Sequence, residues 1–248
     1  MIPKKIHYCW FGKNKIPEFN KKCIESWKEY CPDYEIIEWN EDNFDISCNQ
    51  YVKEAYEAKK YAFVTDYVRL YAIYHHGGVY MDTDVEVLKC LDKFLRHGAF
   101  TGCENNEFCV TGTMGAEKGN VWIKQLLNQY KEKKFILPNG KINIMPNTET
   151  ITKLTSEQYS WVCENKYQIL KDGVHIYPHD FFCAKDWRTG TITITENTYT
   201  VHNFSASWIT EKERKTTKRK KFIKDIIIKF IGRNKFEKLK MIIMKEDK

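Results

Sequence analysis

Hydrophobic and polar positions change period several times along the chain, and each change marks an element. Lys5 to Phe11 is a short aromatic and apolar run ending at Gly12, the pattern of a buried strand that stops at a turn. Ile16 to Tyr30 then reads as a helix, and Tyr34 to Trp39 as a second strand closed by the polar loop Asn40-Glu41-Asp42-Asn43. Strand, helix, strand is the start of a parallel α/β unit. From Glu57 to His76, apolar residues including Ala62, Phe63, Val64, Val68, Leu70, Tyr71, Ala72 and Ile73 leave little of a helical circumference polar, which predicts a buried helix. Gly77-Gly78 supplies its left-handed close.

Val79 to Leu88 then alternates with period two. As one strand it places Tyr80, Asp82, Asp84 and Glu86 on one face and Met81, Thr83, Val85 and Val87 on the other. Beyond Lys89 the pattern predicts a strand near Ala99 to Cys103, a helix over Val121 to Lys131, a loop around Pro138 to Pro146 and a helix beginning near Thr148. Thr191 to Phe204 alternates and is rich in β-branched residues, so a late strand ending at His202-Asn203 is expected. No internal repeat is visible.

Composition narrows the class. At 248 residues, with 42% hydrophobic and 15% aromatic content, the chain can bury one large α/β core and is too apolar to be disordered. No stretch approaches the ~18 unbroken apolar residues of a spanning helix. The opening residues are too short and too polar for a secretory leader, so the expected location is the cytoplasm. Nine scattered cysteines, none spaced as CxxC, read as reduced structural thiols.

The net charge of +7 is not spread evenly. Residues 211–248 hold 15 Lys or Arg against 6 Asp or Glu, whereas residues 1–210 hold 25 against 27. The division is therefore a main domain over 1–210 and a basic tail over 211–248. In that tail Phe222, Ile223, Ile226, Ile227, Phe230 and Ile231 recur at helical spacing among lysines, and Phe236, Leu239, Ile242 and Ile243 resume the stripe after Gly232. This is the pattern of a basic amphipathic helix. It suits an anionic membrane surface, making the protein peripheral on the inner face of the cell membrane, or packing on the domain, or pairing in a homodimer. The slightly acidic main domain argues against a nucleic-acid groove.

Chemistry concentrates at Asp82-Thr83-Asp84. Two carboxylates that face one way repel each other, and a buried cleft relieves that repulsion with a proton or a cation. Magnesium or manganese with phosphate oxygens completing the shell is the natural answer. The motif alone is weak. Its place after a buried helix and a Gly-Gly turn raises its value, because ligands gather at the carboxyl ends of strands in open α/β sheets. Asp66 and Arg69, three residues apart in an otherwise apolar helix, lie on one face and can pair with each other. A buried ion pair adds little stability over apolar replacements, so a ligand-binding role competes with a purely structural one.

The segment Ala62-Phe63-Val64-Thr65-Asp66-Tyr67-Val68-Arg69-Leu70-Tyr71, followed by Gly77-Gly78-Val79-Tyr80-Met81-Asp82-Thr83-Asp84-Val85, closely resembles the sugar-binding region of glycosyltransferase family 32. The opening Ile2 to Gly12 resembles that family's first strand, and His202-Asn203-Phe204-Ser205-Ala206-Ser207-Trp208 resembles its late His followed by Ser-Trp. The likeness also extends to the glucosyltransferase domains of large clostridial toxins. It implies a GT-A fold, a Rossmann-like mixed, mostly parallel sheet flanked by helices. It also implies a nucleotide-sugar donor, a UDP-sugar by expectation, and Mn2+ or Mg2+.

By position, the resemblance implies that Cys9, Trp10, Tyr61 and Thr65 border the donor, with Trp10 stacking on or flanking the base. Asp66 and Arg69 would grip donor sugar hydroxyls or phosphate, and Tyr80, Asp82 and Thr83 would line the ribose side. Asp84 would be the direct metal ligand, with His202 and Asp82 in the metal set, and Ser207 and Trp208 would close over the diphosphate. The expected reaction is transfer of a hexose or N-acetylhexosamine, with retention by a same-face route, to a saccharide or lipid-linked oligosaccharide in surface polysaccharide assembly. Acceptor loops are expected at Asn105 to Gly115, Pro138 to Thr150 and Tyr177 to Phe182. A nucleotidyl- or phosphotransferase, a toxin-like protein glycosyltransferase and a non-catalytic basic module remain as rivals. No P-loop sequence is present.

Overall fold

The computed structural model describes residues 1–104, 108–109 and 112–205. Met1–Ser205 forms one compact unit. The expected basic helix over 211–248 lies outside the described residues.

The chain opens with β1 (Lys5–Cys9), α1 (Glu18–Tyr30) and β2 (Glu35–Trp39), and then forms α2 (Gln50–Glu57) and α3 (Tyr61–His76). Next come β3 (Gly78–Met81), β4 (Val85–Val87), β5 (Ala99–Gly102), β6 (Thr113–Ala116), α4 (Val121–Asn128) and α5 (Asn147–Tyr159). The last elements are β7 (Gln168–Ile169), β8 (Val174–Tyr177), α6 (His179–Phe182) and β9 (Thr200–His202). Seven strands form a sheet in the order β2-β1-β3-β6-β5-β8-β7, and β4 pairs with β9 in a separate ribbon. Within the sheet β2, β1, β3, β5 and β8 run one way, while β6 and β7 run against them. This is the mixed, mostly parallel, helix-flanked sheet expected of a GT-A fold.

Both faces of the sheet are covered, which is why β3 reads Gly-Val-Tyr-Met with no polar position. Tyr80 joins a core with Trp39, Val68, Ile73, Met114 and Trp122. Val79 and Met81 point the other way, into a core with Ile6, Trp27, Phe94 and Phe100. On the first face α3 packs against β1, β3, α2 and α4. Its buried residues include Asp66 and Arg69 among Val64, Val68, Leu70, Ala72 and Ile73.

Three predicted boundaries change. The helix expected from Glu57 begins at Tyr61, because the chain ends α2 there and turns through Lys59, whose φ is +56°. The strand expected over Val79 to Leu88 breaks after Met81. The Asp82 N–H donates to the Gly112 carbonyl (2.9 Å) and the Val85 N–H to the Asp82 carbonyl (2.9 Å), closing a turn across Asp82-Thr83-Asp84. Their face assignment by period two therefore does not hold, since the aspartates occupy a turn between strands of different sheets. The late strand expected over Thr191 to Phe204 is only Thr200–His202, preceded by a hairpin pinned by the Lys185–Ile192 bridge.

Candidate functional site

The break in the strand builds the site. Once β4 leaves the main sheet it pairs antiparallel with β9, and the register sets Val85 opposite His202. A histidine more than a hundred residues downstream is thus delivered beside Asp84. The backbone fixes this arrangement further, with the Asn203 N–H donating to the Asp84 carbonyl (3.0 Å) and the Ser205 N–H to the Asp84 carboxylate (2.6 Å). From the other side the Asn20 amide of α1 donates to Thr83 Oγ1 (2.9 Å), and Trp27 Nε1 donates to the Val85 carbonyl (2.7 Å). Gly112 completes the cradle, since a Cβ there would lie 2.8 Å from His202 Nδ1.

His202 Nε2 stands 3.3 Å from Asp84 Oδ1 and 3.8 Å from Asp82 Oδ2. Ligand atoms of Asp82, Asp84 and His202 all lie within 4.8 Å of one another. Donors ~2.0–2.3 Å from one ion are that far apart, so two carboxylate oxygens and an imidazole nitrogen fit a single divalent cation. The mixed oxygen and nitrogen set suits manganese better than calcium. The electrostatics agree. Burial disfavours charge on His202, but the Asp84 and Asp82 carboxylates outweigh it and raise its pKa well above the ordinary value. Burial likewise works against ionised Asp84, yet His202 and the Ser205 contacts hold its carboxyl well below the usual range. The field that favours a proton on this imidazole favours a cation in the same place.

Behind the triad a second set of charges comes from α3. Arg69 reaches Asp82 Oδ1 at 3.3 Å and Asp66 Oδ1 at 3.4 Å. Its guanidinium lies 4.6 Å from the centre of the Tyr80 ring. The Tyr80 hydroxyl donates to Asp82 Oδ1 (2.9 Å). Asp82 is thus held by two donors, whereas Asp84 is held by the Ser205 N–H and faces His202. Burial pushes the Asp66 carboxyl up to about 7, with Arg69 opposing and Asp82 reinforcing the shift. Arg69 stays firmly protonated, because Asp82, Tyr80 and Asp66 outweigh the effect of its burial.

The remaining sequence candidates fall in different places. Cys9 is buried beside this group, and burial raises its thiol pKa. Thr65 gives its hydroxyl to Ala62 and its carbonyl to Arg69 Nε (3.3 Å). Tyr61 packs at the start of α3 against Tyr56, 5.5 Å between ring centres. Trp10 is half-buried and donates from Nε1 to the Asn14 carbonyl (2.6 Å). Thr83 points toward α1 through its bond to Asn20. Ser207 and Trp208 lie outside the described residues, as do 105–107 and 110–111 of the loop from Asn105 to Gly115.

Several groups near the site escaped sequence reasoning. Lys133 acts electrostatically on Asp66, sits 5.0 and 4.8 Å from the Tyr51 and Tyr130 ring centres, and has a buried Nζ with no hydrogen-bond partner among the described residues. The Tyr51 and Tyr130 hydroxyls are buried and unpartnered as well. Glu104, just beyond β5, is a half-buried carboxylate within electrostatic reach of His202. None belongs to a short motif, so only the tertiary fold brings them in.

Residues 17–101 match the family described as a glycosyltransferase sugar-binding region containing a DXD motif. Over that stretch, about a third of the chain, it is similar to a DXD-type glycosyltransferase sugar-binding region. Among curated proteins, inositol phosphoceramide mannosyltransferase 3 of Schizosaccharomyces pombe is 30% identical over 138 residues, covering 51% of this chain and 36% of that protein. The mannosyl phosphorylinositol ceramide synthase SUR1 of Saccharomyces cerevisiae is 32% identical over 108 residues, covering 40% and 27%. The chain spans about a third of the length of such relatives. Among solved structures, a PaToxG glycosyltransferase aligns with TM-score 0.48 and 19% identity, covering 63% of this chain and 70% of that one.

Proposed function

We propose that this protein is a metal-dependent glycosyltransferase that moves a hexosyl group from a nucleotide-diphosphate sugar to a saccharide or lipid-borne acceptor. One observation carries the reading: the ligand atoms of Asp82 and Asp84, in the matched DXD region, converge with that of His202 within 4.8 Å. A divalent ion held there supplies positive charge to the departing diphosphate. The chain's own residues do the rest. Tyr80 and Arg69 hold Asp82 in its orientation, which leaves Asp84 and His202 as the more direct ligands. Arg69 brings a permanent positive charge to the same wall of the site, the kind of preorganised electrostatics that favours a leaving anion. Asp66, an ionisable carboxyl beside it, suits donor sugar hydroxyls.

Donor preference for a UDP-sugar, preference for manganese and retention by a same-face route complete the proposal. The names of the yeast relatives add a mannosyl donor and an inositol phosphoceramide acceptor to what is tried. We further propose that residues 1–210 are the catalytic domain and that the basic tail brings it to an anionic membrane surface. The test is nucleotide release from a panel of nucleotide sugars with manganese, with and without chelator. Release that stops with chelator and with Asp84→Ala supports the reading. No release from any donor, together with unchanged manganese affinity in Asp84→Ala, defeats it.

A further inference from the structure

A cavity of about 350 Å³ opens beside the triad, lined by residues that include Glu104, His179, Cys183, Trp187, Arg188 and Thr193. Its lining meets the strand that carries His202, where the Thr200 hydroxyl donates to the Phe182 carbonyl (2.9 Å) beside Cys183. Cys183, one of its walls, is a side-chain neighbour of the His202 ring, and Glu104, another, faces the same ring. The cavity stands at the small end of the range for ligand pockets, ~300–1,000 Å³, the scale of a single sugar ring and not of a whole nucleotide sugar.

Its outer wall is a built structure. Between α6 and β9 the chain forms a hairpin, in which the Thr193 N–H donates to the Ala184 carbonyl (2.9 Å) and the Asp186 N–H to the Thr191 carbonyl (2.9 Å). Asp186 Oδ1 accepts the N–H groups of Arg188 (2.7 Å) and Thr189 (2.9 Å), fixing the tip as an Asx turn. The Lys185 ammonium donates to the Asn203 carbonyl (2.8 Å), tying the hairpin to the residue after His202. This bracing holds Trp187 with 52% of its surface exposed, and the Arg188 guanidinium lies 5.2 Å from its ring centre. An indole kept half in water by a rigid turn at a cavity lip gains nothing for the core. It is placed to receive the apolar face of a flat, hydroxyl-edged ligand. Glu104 contributes a carboxylate that accepts hydrogen bonds from hydroxyls, and burial lifts its pKa above the ordinary value despite His202 and Arg188.

We propose that this cavity is the acceptor subsite and takes one pyranose ring of a saccharide acceptor, with Trp187 as stacking platform and Glu104 as the carboxylate that orients the acceptor hydroxyl. The assignment rests on the transferase reading for its role, and on the cavity alone for its ligand class. It also moves acceptor recognition to 184–193, outside the acceptor loops expected from the sequence.

The test uses the full chain and a panel of methyl hexosides, followed by ligand-observed NMR and by their effect on nucleotide release. Wild type binds at least one hexoside; Trp187→Ala weakens that binding about tenfold or more, the usual size of a lost aromatic contact. Glu104→Gln also weakens it, while Tyr30→Ala, at an exposed aromatic on α1, leaves it unchanged. Hexoside binding that depends on Trp187 in a protein releasing no nucleotide keeps the subsite and removes the donor reading. Nucleotide release whose stimulation by every hexoside is absent, or is indifferent to both substitutions, overturns the subsite and leaves the donor reading standing.

Discussion

Asp66→Asn separates a charge kept for function from one kept for stability. Asp66 is 8% exposed in α3, and burial outweighs its 3.4 Å contact with Arg69, so its carboxyl titrates near 7 against an ordinary 3.8. The folded protein therefore takes up this proton more readily than the unfolded chain. Ionised Asp66 costs nothing below the unfolded pKa, and its cost grows as pH rises from about 4 to about 7, then levels off. A shift of roughly three units corresponds to about 4 kcal/mol. Relaxation of so tightly coupled a group trims this, so ~2–4 kcal/mol is the expected range. Asparagine keeps the shape and removes the charge. Urea unfolding in chelator, followed by tryptophan fluorescence, should show wild type and variant equal near pH 4 and the variant more stable near pH 8. The same variant should lose transfer activity. An Asp66→Asn protein less stable than wild type near pH 8, or a difference that does not change with pH, refutes the reasoning.

Tyr80→Phe removes the 2.9 Å bond to Asp82, a charge-assisted bond of ~1.5–3 kcal/mol that orients this ligand, so manganese affinity should fall by about tenfold or more in a calorimetric titration while the fold is kept. Gly112→Ala drives a Cβ to within 2.8 Å of His202 Nδ1 and should weaken manganese binding without moving the Asp82 side chain's partners, which calorimetry and unfolding together would show. Asn20→Ala frees Thr83 from α1 and should cost about 1 kcal/mol in urea unfolding. His7 is fully buried, with Nε2 donating to the Gly77 carbonyl (2.8 Å) and Nδ1 accepting from Trp39, and burial lowers its pKa from 6.5 to about 4. Its contribution is present above 6.5 and is lost as pH falls toward 4, so stability should drop by ~3 kcal/mol across that window, and less in His7→Gln.

The parts legible in the sequence are those fixed by local pattern. β1, α1, β2 and the buried α3 each have their own periodicity, and α3 shows its one irregularity, Asp66 and Arg69, at i and i+3. The strand break at Asp82 was not legible. Met81 to Val87 alternates as well as any strand, and the turn depends on a partner, the Gly112 carbonyl, that arrives thirty residues later. β6 and β8 are four residues each and become strands only through neighbours in the sheet. His202 was visible as a candidate through its following Ser-Trp resemblance, but its register against Val85, which sets it beside Asp84, is a tertiary fact. Glu104, Lys133 and Trp187 carry no local signature at all.

The central claim is that Asp82, Asp84 and His202 hold one divalent ion for use on a nucleotide-sugar diphosphate. Calorimetric titration of the full chain with manganese, alone and with a nucleoside diphosphate, measures it directly. One bound ion per chain, tighter with the diphosphate and lost in both Asp84→Ala and His202→Ala, is the predicted result. Manganese binding that survives both substitutions, or that the diphosphate leaves unchanged, contradicts it.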